Sequence, residues 1–462
     1  MNKLWKPAAL GDLAVLTIGG AWGDDPTTKG ADFSEAYCIR GSEFKNWQED
    51  KGRTASLRNI KKPSLKKRIL VEGDILVEIS GGGPDQPVGR TVLVDKEVLA
   101  FSPETPKVCT NFLRLLRPTN KISASYLNSF LRFFYKSGEV VKYQGGSNNL
   151  RNLRFDDYLQ ISIPIASSYE QKEIVSIVDE VTSDLDNAIE NLKKAQEQLK
   201  IYRLAVLKYS FEGRFTRATF EEVPIEKIAL SVTYGTSNKA EKSGAIPVLR
   251  MGNINNGKID YSNLKFYRNL DDLENLLLES GDLLFNRTNS AELVGKTGIF
   301  TGYSQYKQVT FASYLIRIRV DRKKVIPAYL NYWMNSPEAL LIKNKLKNQQ
   351  VGQANINGTK LKSIKFPLVI DMKKQKSIVE EIESRFSVCD QLEQTIELNL
   401  QKAESLRQSI LKQAFEGKLT EHWRKNHKGL ISGENSAEAL LKKIMVEKAV
   451  LNGKAKRIIN HD

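Results

Sequence analysis

Cysteine and histidine are scarce in this chain, which has 462 residues but only three of each. The cysteines, Cys38, Cys109 and Cys389, have neither an even count nor a CxxC spacing, which argues against a disulfide framework and a cysteine-based zinc site. The histidines all follow residue 420 and form no HxH or HExxH pattern, so a catalytic histidine or a histidine-bound zinc has little support. We expect the cysteines to be reduced residues of the core.

Long apolar runs are also absent. No stretch approaches the roughly 18 to 20 apolar residues of a membrane span. The start of the chain, MNKLWKPAALGDLAV, lacks the basic segment and the apolar stretch of about 7 to 15 residues that a secretory signal would have. The sequence therefore predicts a cytoplasmic protein with no membrane partner.

Motifs for three kinds of catalysis are incomplete or missing. The segment AELVGKT (291–297) lacks the first glycine of a phosphate-binding loop, because position 290 is Ser. Asp85 follows a proline, as in some nuclease carboxylate clusters, but no Glu-x-Lys comes after it. No NPPY or DPPY stretch is present to hold a flipped adenine. These absences predict a chain that is not itself an enzyme and has no cofactor of its own.

Acidic residues are too few to balance the basic ones, and the formal net charge is +16. Such an excess predicts an anionic partner, with nucleic acid as the leading candidate. A membrane surface is less favoured, because the basic residues are spread over two large regions instead of one amphipathic helix. Solubility alone is the remaining explanation for the charge.

One sequence pattern occurs twice in the chain. SFEGRFT (210–216) returns as AFEGKLT (414–420), and QKEIV from Gln171 returns as QKSIV from Gln375. Weaker matches precede these, since VEGDILV resembles ESGDLLF and VGRT resembles VGKT. A period of about 200 residues is too long for a solenoid and indicates a duplicated domain.

Each copy ends in a long stretch with apolar residues at steps of three and four, which is typical of a coiled coil. In the first copy these residues are Val178, Val181, Leu185, Ala188, Leu192, Ala195, Leu199, Tyr202, Val206 and Tyr209. In the second copy they are Ile382, Phe386, Cys389, Leu392, Ile396, Leu400, Ala403, Leu406, Ile410 and Ala414. A second helix that starts on the far side of the second domain would pair with the first in antiparallel orientation. The sequence thus predicts two antiparallel helices about 60 Å long.

These features predict an α+β fold class with a pseudo-two-fold internal repeat. Two globular mixed α/β heads, residues 1–165 and 216–368, would be separated by two long antiparallel coiled-coil helices. The predicted spacer helices are residues 166–215 and 369–420, and a basic extension with a short helix follows at 421–462.

The extension after Thr420 has no counterpart after Thr216. Asn435 and Glu438 have the spacing of a capping box, which predicts a short amphipathic helix through about Val450. We expect this helix to pack near the first head. A disordered basic tail is the alternative.

The repeated FEG motifs lie where the long helices are predicted to end. Gly213 and Gly417 suit the left-handed conformation that follows a helix, and Phe211 and Phe415 supply apolar surface where a helix meets a head. A purely structural helix stop and a stop that also contacts a partner subunit fit the motif equally well.

Two polar, glycine-rich stretches in each head suit a close approach to a DNA duplex: 79–91 and 143–154 in the first head, and 285–297 and 348–360 in the second. Arginine pairs with guanine edges, Asn and Gln pair with adenine edges, and glycine lets the backbone reach phosphates. Asn and Gln are also ordinary turn residues, which is the alternative for any single one. With the recurring arginines of IRGSEF and LRMGNI, the candidate DNA-binding residues are Arg40, Ser80, Gln86, Arg90, Gln144, Ser147, Asn148, Arg250, Asn253, Arg287, Asn289, Lys296, Gln349, Gln353 and Asn355.

The order of a head, a QKEIV-type helix that ends in FEG, and then the same again resembles the specificity subunit of type I restriction-modification systems. The resemblance includes two GD[IL]L and two VG[RK]T segments and covers almost the whole chain. It implies that each head reads one part of a split double-stranded DNA target and that the helices set the gap. It also implies two modification subunits that bind S-adenosylmethionine and methylate adenine, and two restriction subunits that use ATP and magnesium. The exposed faces of residues 171–211 and 375–415 would then bind the modification subunits.

If both heads address one side of the duplex, half-site centres about 10 to 10.5 bp apart leave an unread gap of about 5 to 8 bp. The alternative function is a non-catalytic architectural DNA-binding coiled-coil protein, which would have no split sequence preference and no methyltransferase partner. A self-contained restriction and methylation enzyme is disfavoured by the missing catalytic motifs.

Overall fold

The computed structural model describes residues 2–28, 30–83, 86–146, 150–269, 273–350 and 353–459. The chain forms two compact units, of which one combines Met1–Glu190 with Leu400–Asp462 and the other is Asn191–Asn399. Each unit contains one head and a part of each of two long helices, Ser168–Phe211 and Met372–Phe415. The predicted α+β architecture of two heads and two long helices is confirmed.

The first head is built on a four-stranded antiparallel sheet with the order Ala14–Gly19, Leu113–Pro118, Ile75–Glu78 and Thr91–Leu93. A second sheet has the order Ser56–Lys61, Phe33–Ile39 and Lys107–Cys109. The strands at the two ends of the head, Lys6–Ala9 and Ser162–Ile165, pair with each other. The helices of this head are Leu10–Leu13, Gly41–Asn46, Trp47–Asp50, Lys62–Lys66, Lys96–Ala100, Ala124–Lys136, Glu139–Tyr143 and Phe155–Tyr158. The ILVE strand of the GDIL motif is buried along its whole length, which explains its apolar sequence.

The second head repeats this plan. Its main sheet has the order Ala229–Tyr234, Leu315–Val320, Leu283–Asn286, Thr297–Ile299, Lys258–Ile259 and Ile254–Asn255. A second sheet has the order Lys265–Tyr267, Ile246–Leu249 and Thr310–Phe311, and the end strands Glu221–Pro224 and Lys365–Leu368 pair with each other. The helices of this head are Ile225–Lys227, Met251–Asn253, Glu274–Leu276, Pro327–Met334, Pro337–Leu346 and Gly358–Ser363.

The glutamine that opens each QK motif joins a long helix to its own head. Gln171 accepts a hydrogen bond from the Ser123 amide and donates one to the Ala166 carbonyl. Gln375 makes the same contacts with the Ile326 amide and the Val369 carbonyl. Both glutamines are fully buried, so each must be hydrogen-bonded, and this requirement explains why the motif recurs.

The long helices run antiparallel within each unit. In the first unit, Val178 shares a core with Ala414 and Phe415, while Asp186, further along its helix, pairs with Arg407. In the second unit, Phe211 shares a core with Ile378, and Arg203 lies 2.5 Å from the Asp390 carboxylate. As residue numbers rise on one helix they fall on its partner, as the sequence predicts.

Fewer heptad positions are buried between the two helices than the sequence pattern predicts. One row of the second helix is buried, with Ile382, Cys389 and Ile396 as members. The other row is exposed at Leu392 and Leu406. The first helix has only half-buried leucines at 185, 192 and 199. The paired helices therefore have apolar surface that the described residues leave exposed.

The FEG motifs end the long helices in the same way. Gly213 has φ 75° and Gly417 has φ 74°, and both follow helices that end at the phenylalanine two residues earlier. Phe211 packs edge-on to Tyr329 with ring centroids 5.2 Å apart, and Phe415 packs edge-on to Tyr126 at 5.5 Å. The glycines thus turn the chain where the helix is anchored in the core of a head.

In its described part the extension forms two α-helices, Glu421–Asn426 and Ala437–Ile459, with the short 3-10 helices Lys428–Leu430 and Gly433–Asn435 between them. The predicted packing of the second helix on the first head is confirmed, because Leu440 and Ile444 belong to its core. The predicted cap at Asn435 is wrong by one residue. The Ser436 hydroxyl accepts the hydrogen bond from the Ala439 amide, whereas Asn435 donates its side-chain amide to the Gly429 carbonyl.

A buried ionic cluster fastens the extension to the start of the first long helix. The Glu170 carboxylate accepts hydrogen bonds from the Trp5 indole at 2.9 Å, from the Thr420 hydroxyl at 2.7 Å and from the Arg424 guanidinium. Glu170 and Arg424 are both buried, so each charge depends on the other for compensation.

Two further expectations concern the core and the membrane. Cys38, Cys109 and Cys389 are free and buried, as predicted. Within the described ranges, no helix combines the length and apolar character that a membrane crossing requires.

Candidate nucleic-acid interface

In the first head, the two polar stretches meet in one small antiparallel sheet, the first loop sheet. Its strands lie in the order Gln144–Gly145, Arg151–Leu153 and Ser80–Gly82. The Ser80 hydroxyl donates a hydrogen bond of 2.6 Å to the Asn152 side-chain oxygen. Segments about 70 residues apart in sequence thus form one polar surface.

The second head contains a corresponding second loop sheet. Its strands lie in the order Thr288–Asn289, Gln353–Asn355 and Asn348–Gln350. The Asn355 side-chain amide donates a hydrogen bond of 2.6 Å to the Thr288 hydroxyl. Each loop sheet therefore joins its two polar stretches by one hydroxyl and one asparagine.

Only one residue of each of these pairs was predicted from the sequence. Ser80 and Asn355 were candidates, whereas Asn152 and Thr288 were missed. The signal that could have found them is the repeat itself. Asn152 and Asn355 each lie twelve residues before the proline of ISIP or IKFP in their copy, and Ser80 and Thr288 each come two residues after a buried strand.

The candidate arginines of the first head are bonded within the head. The Arg90 Nε donates to the Glu78 carboxylate at 2.8 Å, and its Nη2 donates to the Gly41 carbonyl at 3.0 Å. The hydrogen bond to Glu78 raises the pKa of Arg90. Arg40 donates to Glu43 and to the Thr54 carbonyl. Gln86, with Oε1 turned toward Arg90, accepts from that guanidinium at 3.2 Å.

A turn of the second head corresponds to the Arg40 turn. The Asn253 side chain accepts from the Arg250 amide at 2.9 Å and donates to the Asp260 carbonyl at 2.8 Å. Asn253 is buried, so its amide closes this turn. The Arg250 guanidinium donates to the Asn263 carbonyl at 3.1 Å.

Two further candidates of the second head line a small pocket of about 250 Å³. Asn289 and Lys296 line it together with Met251 and Leu293. Arg287 lies outside the pocket, with its guanidinium 4.7 Å from the centre of the Tyr234 ring.

Five candidates remain. Ser147 and Asn148 lie outside the described residues. Gln349 is in a strand of the second loop sheet, where its backbone pairs with Ala354. Gln144 and Gln353 belong to the first and the second loop sheet, and Gln353 is exposed.

A buried lysine that the sequence analysis missed supports the VGKT turn. The Lys343 Nζ donates to the Gly295 carbonyl at 2.7 Å and to the Met334 carbonyl at 2.5 Å. Burial, with Lys347 nearby, lowers the pKa of Lys343 to about 7. A neutral amine keeps two hydrogens, which is enough to donate to both carbonyls.

The described residues contain no group of three or more His, Cys, Asp or Glu side chains placed to hold a metal ion. The polar groups gathered in the loop sheets are amides, hydroxyls and cations. Groups of these kinds donate to phosphates and base edges.

The fold and the matched loop sheets define a duplicated, two-headed protein with paired long helices. The family described as the type I restriction modification DNA specificity domain matches this chain over residues 2–200 and 219–402. The chain therefore belongs to this family, and one match falls on each copy of the repeat.

Two characterised relatives have nearly the same extent as this chain. The EcoKI type I restriction enzyme specificity subunit of Escherichia coli K12 is 29% identical over 428 residues, which are 90% of this chain and 89% of the relative. The StySPI specificity subunit of Salmonella potsdam is 29% identical over 463 residues, which are 97% and 96% of the two chains.

Two solved structures share the fold. A chain from work on complex assembly and conformational transition of the type I R-M system has a TM-score of 0.69 and 15% identity, covering 91% of this chain and 99% of that one. The HsdS subunit from Thermoanaerobacter tengcongensis has a TM-score of 0.51 and 16% identity, covering 91% and 98%.

Proposed function

We propose that this chain gives a type I restriction-modification complex its DNA specificity, with each head reading one half of a bipartite target. The observation that carries the proposal is the loop sheet of each head, in which a hydroxyl and an asparagine join two polar stretches. The net charge of +16 supports contact with phosphates. The candidate residues predicted from the sequence are the proposed DNA contacts, and the long helices set the gap between half-sites.

The proposed partners are two modification subunits, which bind S-adenosylmethionine and methylate adenine, and two restriction subunits, which use ATP and magnesium. This chain itself would be non-catalytic, would hold no cofactor and would act in the cytoplasm. Exposed apolar residues on the long helices support docking of the modification subunits, because such residues are common at the buried centre of an interface. They are Ile201, Leu204, Val388, Leu392, Leu398 and Leu406.

The test is to co-express the chain with its modification subunit in a host without adenine methylation and to map N6-methyladenine across the genome. A two-part motif with a fixed gap is expected. Scattered methylation, with an active partner bound to this chain, would contradict the proposal and favour the architectural alternative.

The proposed spacer role predicts a second result of the same mapping. Four residues inserted in the first long helix, with four inserted opposite them in the second, add about 6 Å and should lengthen the gap by one to two base pairs. A matched control carries four residues in the exposed turn near Lys242, where the gap should stay as in the wild type. An unchanged gap in the helix variant would contradict the spacer role.

A further inference from the structure

The pocket of the second head has an apolar side and a polar side. One side of the pocket is formed by the segment from Met251 to Asn255, and the other by the stretch from Asn289 to Lys296. Both segments belong to one unit. Met251 and Leu293 are exposed, although both are large apolar side chains. Ile254, at the base of the pocket, is buried in the core of the head. An apolar group of a ligand could thus be covered from two sides.

The polar side of the pocket offers hydrogen-bond donors. The Asn289 side-chain oxygen already accepts from the Ser290 amide, which leaves its side-chain NH₂ as the group available to a ligand. Lys296 supplies an ammonium, which only donates. Across the described residues, the Lys296 ammonium makes no hydrogen bond or ion pair. The pocket therefore suits an apolar group that lies next to a hydrogen-bond acceptor.

Only one base presents that pair of groups in the major groove. Thymine shows a methyl group beside the O4 acceptor, whereas guanine shows two acceptors, adenine an acceptor and a donor, and cytosine a donor. On this basis we propose that the pocket binds the major-groove edge of one thymine, with its methyl group between Met251 and Leu293 and its O4 accepting from Asn289 or Lys296. The inference rests on the proposed function and adds to it one base of the half-site read by the second head.

Two backbone hydrogen bonds of Gly295 fix the segment that carries Leu293 and Lys296. The Gly295 amide donates to the Asn286 carbonyl at 2.8 Å, and the Gly295 carbonyl accepts from the buried Lys343. Leu293 and Lys296 flank this fixed segment. A wall that is ordered before binding loses little entropy when the base arrives, which favours discrimination of a single methyl group.

Among the described residues of the first head, those at the matching places differ in chemistry, so this head serves as an internal control. Pro87 stands at the place of Leu293, and Gly41 stands at the place of Met251. Arg90, at the place of Lys296, donates to Glu78 and to the Gly41 carbonyl. We therefore expect methyl recognition of this kind in the second head and not in the first.

The test replaces thymine by deoxyuridine, which removes the methyl group and keeps O4. DNA duplexes that carry the mapped target, with one thymine at a time replaced on either strand, are titrated with the chain in complex with its modification subunits. The apparent Kd is measured by fluorescence anisotropy. In the second head's half-site, one replacement should weaken binding about fourfold, the value expected for one buried methyl-sized group.

The variant Leu293→Ala connects that loss to the pocket. Its complex should show a clearly smaller difference between the methyl-free and the ordinary duplex, because the methyl group loses one of its two apolar partners. Leu230→Ala is the matched control, since Leu230 is an exposed leucine on another strand of the same head, and it should keep the fourfold difference. Met251→Ala provides a second pocket variant in case Leu293→Ala folds poorly.

Two results would overturn the inference alone: a bipartite motif in which no thymine of the second half-site responds to loss of its methyl group, or a fourfold response that persists in both pocket variants. Scattered methylation by the wild-type complex would instead contradict the proposed function, and the inference with it. The two failures are therefore distinguishable.

Discussion

The VGRT turn of the first head and the VGKT turn of the second share a backbone and differ in what supports it. Gly89 has φ 104° and Gly295 has φ 89°, so both need glycine. A side-chain carbon at Gly89 would meet Val140, whereas one at Gly295 would meet Lys343. The duplication has kept the path of the chain, while the residue behind the turn has changed from an apolar side chain to a buried amine.

The ends of the two long helices show the same contrast more strongly. Thr420 donates to the buried Glu170, which also binds Arg424. In the other copy, Lys374 replaces the glutamate, and the buried Thr216 hydroxyl has no hydrogen-bond partner in the described part of the chain. Contacts that fix the path of the chain are therefore kept in both copies. The buried ionic contact with the extension occurs only in the copy that the extension follows.

The largest expected effect comes from breaking the buried cluster. Arg424→Met keeps a long side chain but leaves the Glu170 carboxylate buried without its cation, which costs about 3 to 5 kcal/mol. We expect the free energy of opening, measured by hydrogen exchange, to fall by that amount in the extension and at the start of the first long helix.

The control for this variant lies in the other copy. Lys374→Met changes the exposed counterpart of Glu170 and should alter protection by less than about 0.5 kcal/mol. Equal effects of the two substitutions would contradict a stabilising role that is specific to the buried cluster.

An intermediate effect is expected at Lys343, and it depends on pH. Because the pKa of Lys343 is lowered from 10.5 to about 7, the unfolded chain holds a proton that the folded head lacks between these values. The stability of the second head should therefore rise, relative to that of Lys343→Met, by about 2 kcal/mol as the pH goes from 7 to 9. Hydrogen exchange of Pro337–Leu346 reports the change.

The first head provides the comparison for this measurement. Val140 has no titratable group, so protection of Ala124–Lys136 should not respond to the Lys343 substitution at either pH. A difference between wild type and variant that stays constant with pH would show that Lys343 keeps its proton in the folded head.

The smallest expected effect concerns the bond that joins the stretches of each loop sheet. Thr288→Val and Ser80→Ala each remove one hydroxyl, at a cost of about 0.5 to 1.5 kcal/mol. We expect Thr288→Val to relax the methylated motif only in the half-site of the second head, and Ser80→Ala only in that of the first. Relaxation of both half-sites by one substitution would contradict independent reading by the two heads.

The large elements could be predicted because they repeat and are periodic. The heptad rows and the FEG motifs indicated both long helices, and the structure ends these helices at Phe211 and Phe415. The loop sheets could not be predicted from the sequence, since strands of two or three polar residues have no hydrophobic period. Their pairing depends on the heads that hold them.

Single positions show where sequence reasoning fails. Lys343 lies in PEALLIKNKL, which has the lysines of a surface helix, and only the fold shows that this lysine is buried. The predicted cap of the last helix was Asn435, and the observed cap is Ser436. Either residue type can accept the capping hydrogen bond, so the sequence does not choose between them. The exposed row at Leu392 and Leu406 follows from a helix pair, which covers only part of a heptad stripe.

The composition of the two units has a consequence for synthesis on the ribosome. The unit Asn191–Asn399 is continuous in sequence, so all of its residues are available before the chain is finished. The other unit needs Leu400–Asp462, and its cluster joins Trp5 and Glu170 to Arg424. Contacts over such separations form late, because a long loop must close first. The second head to be translated is thus the first whose residues are all available, and the buried cluster of the earlier head cannot form until Arg424 has been translated.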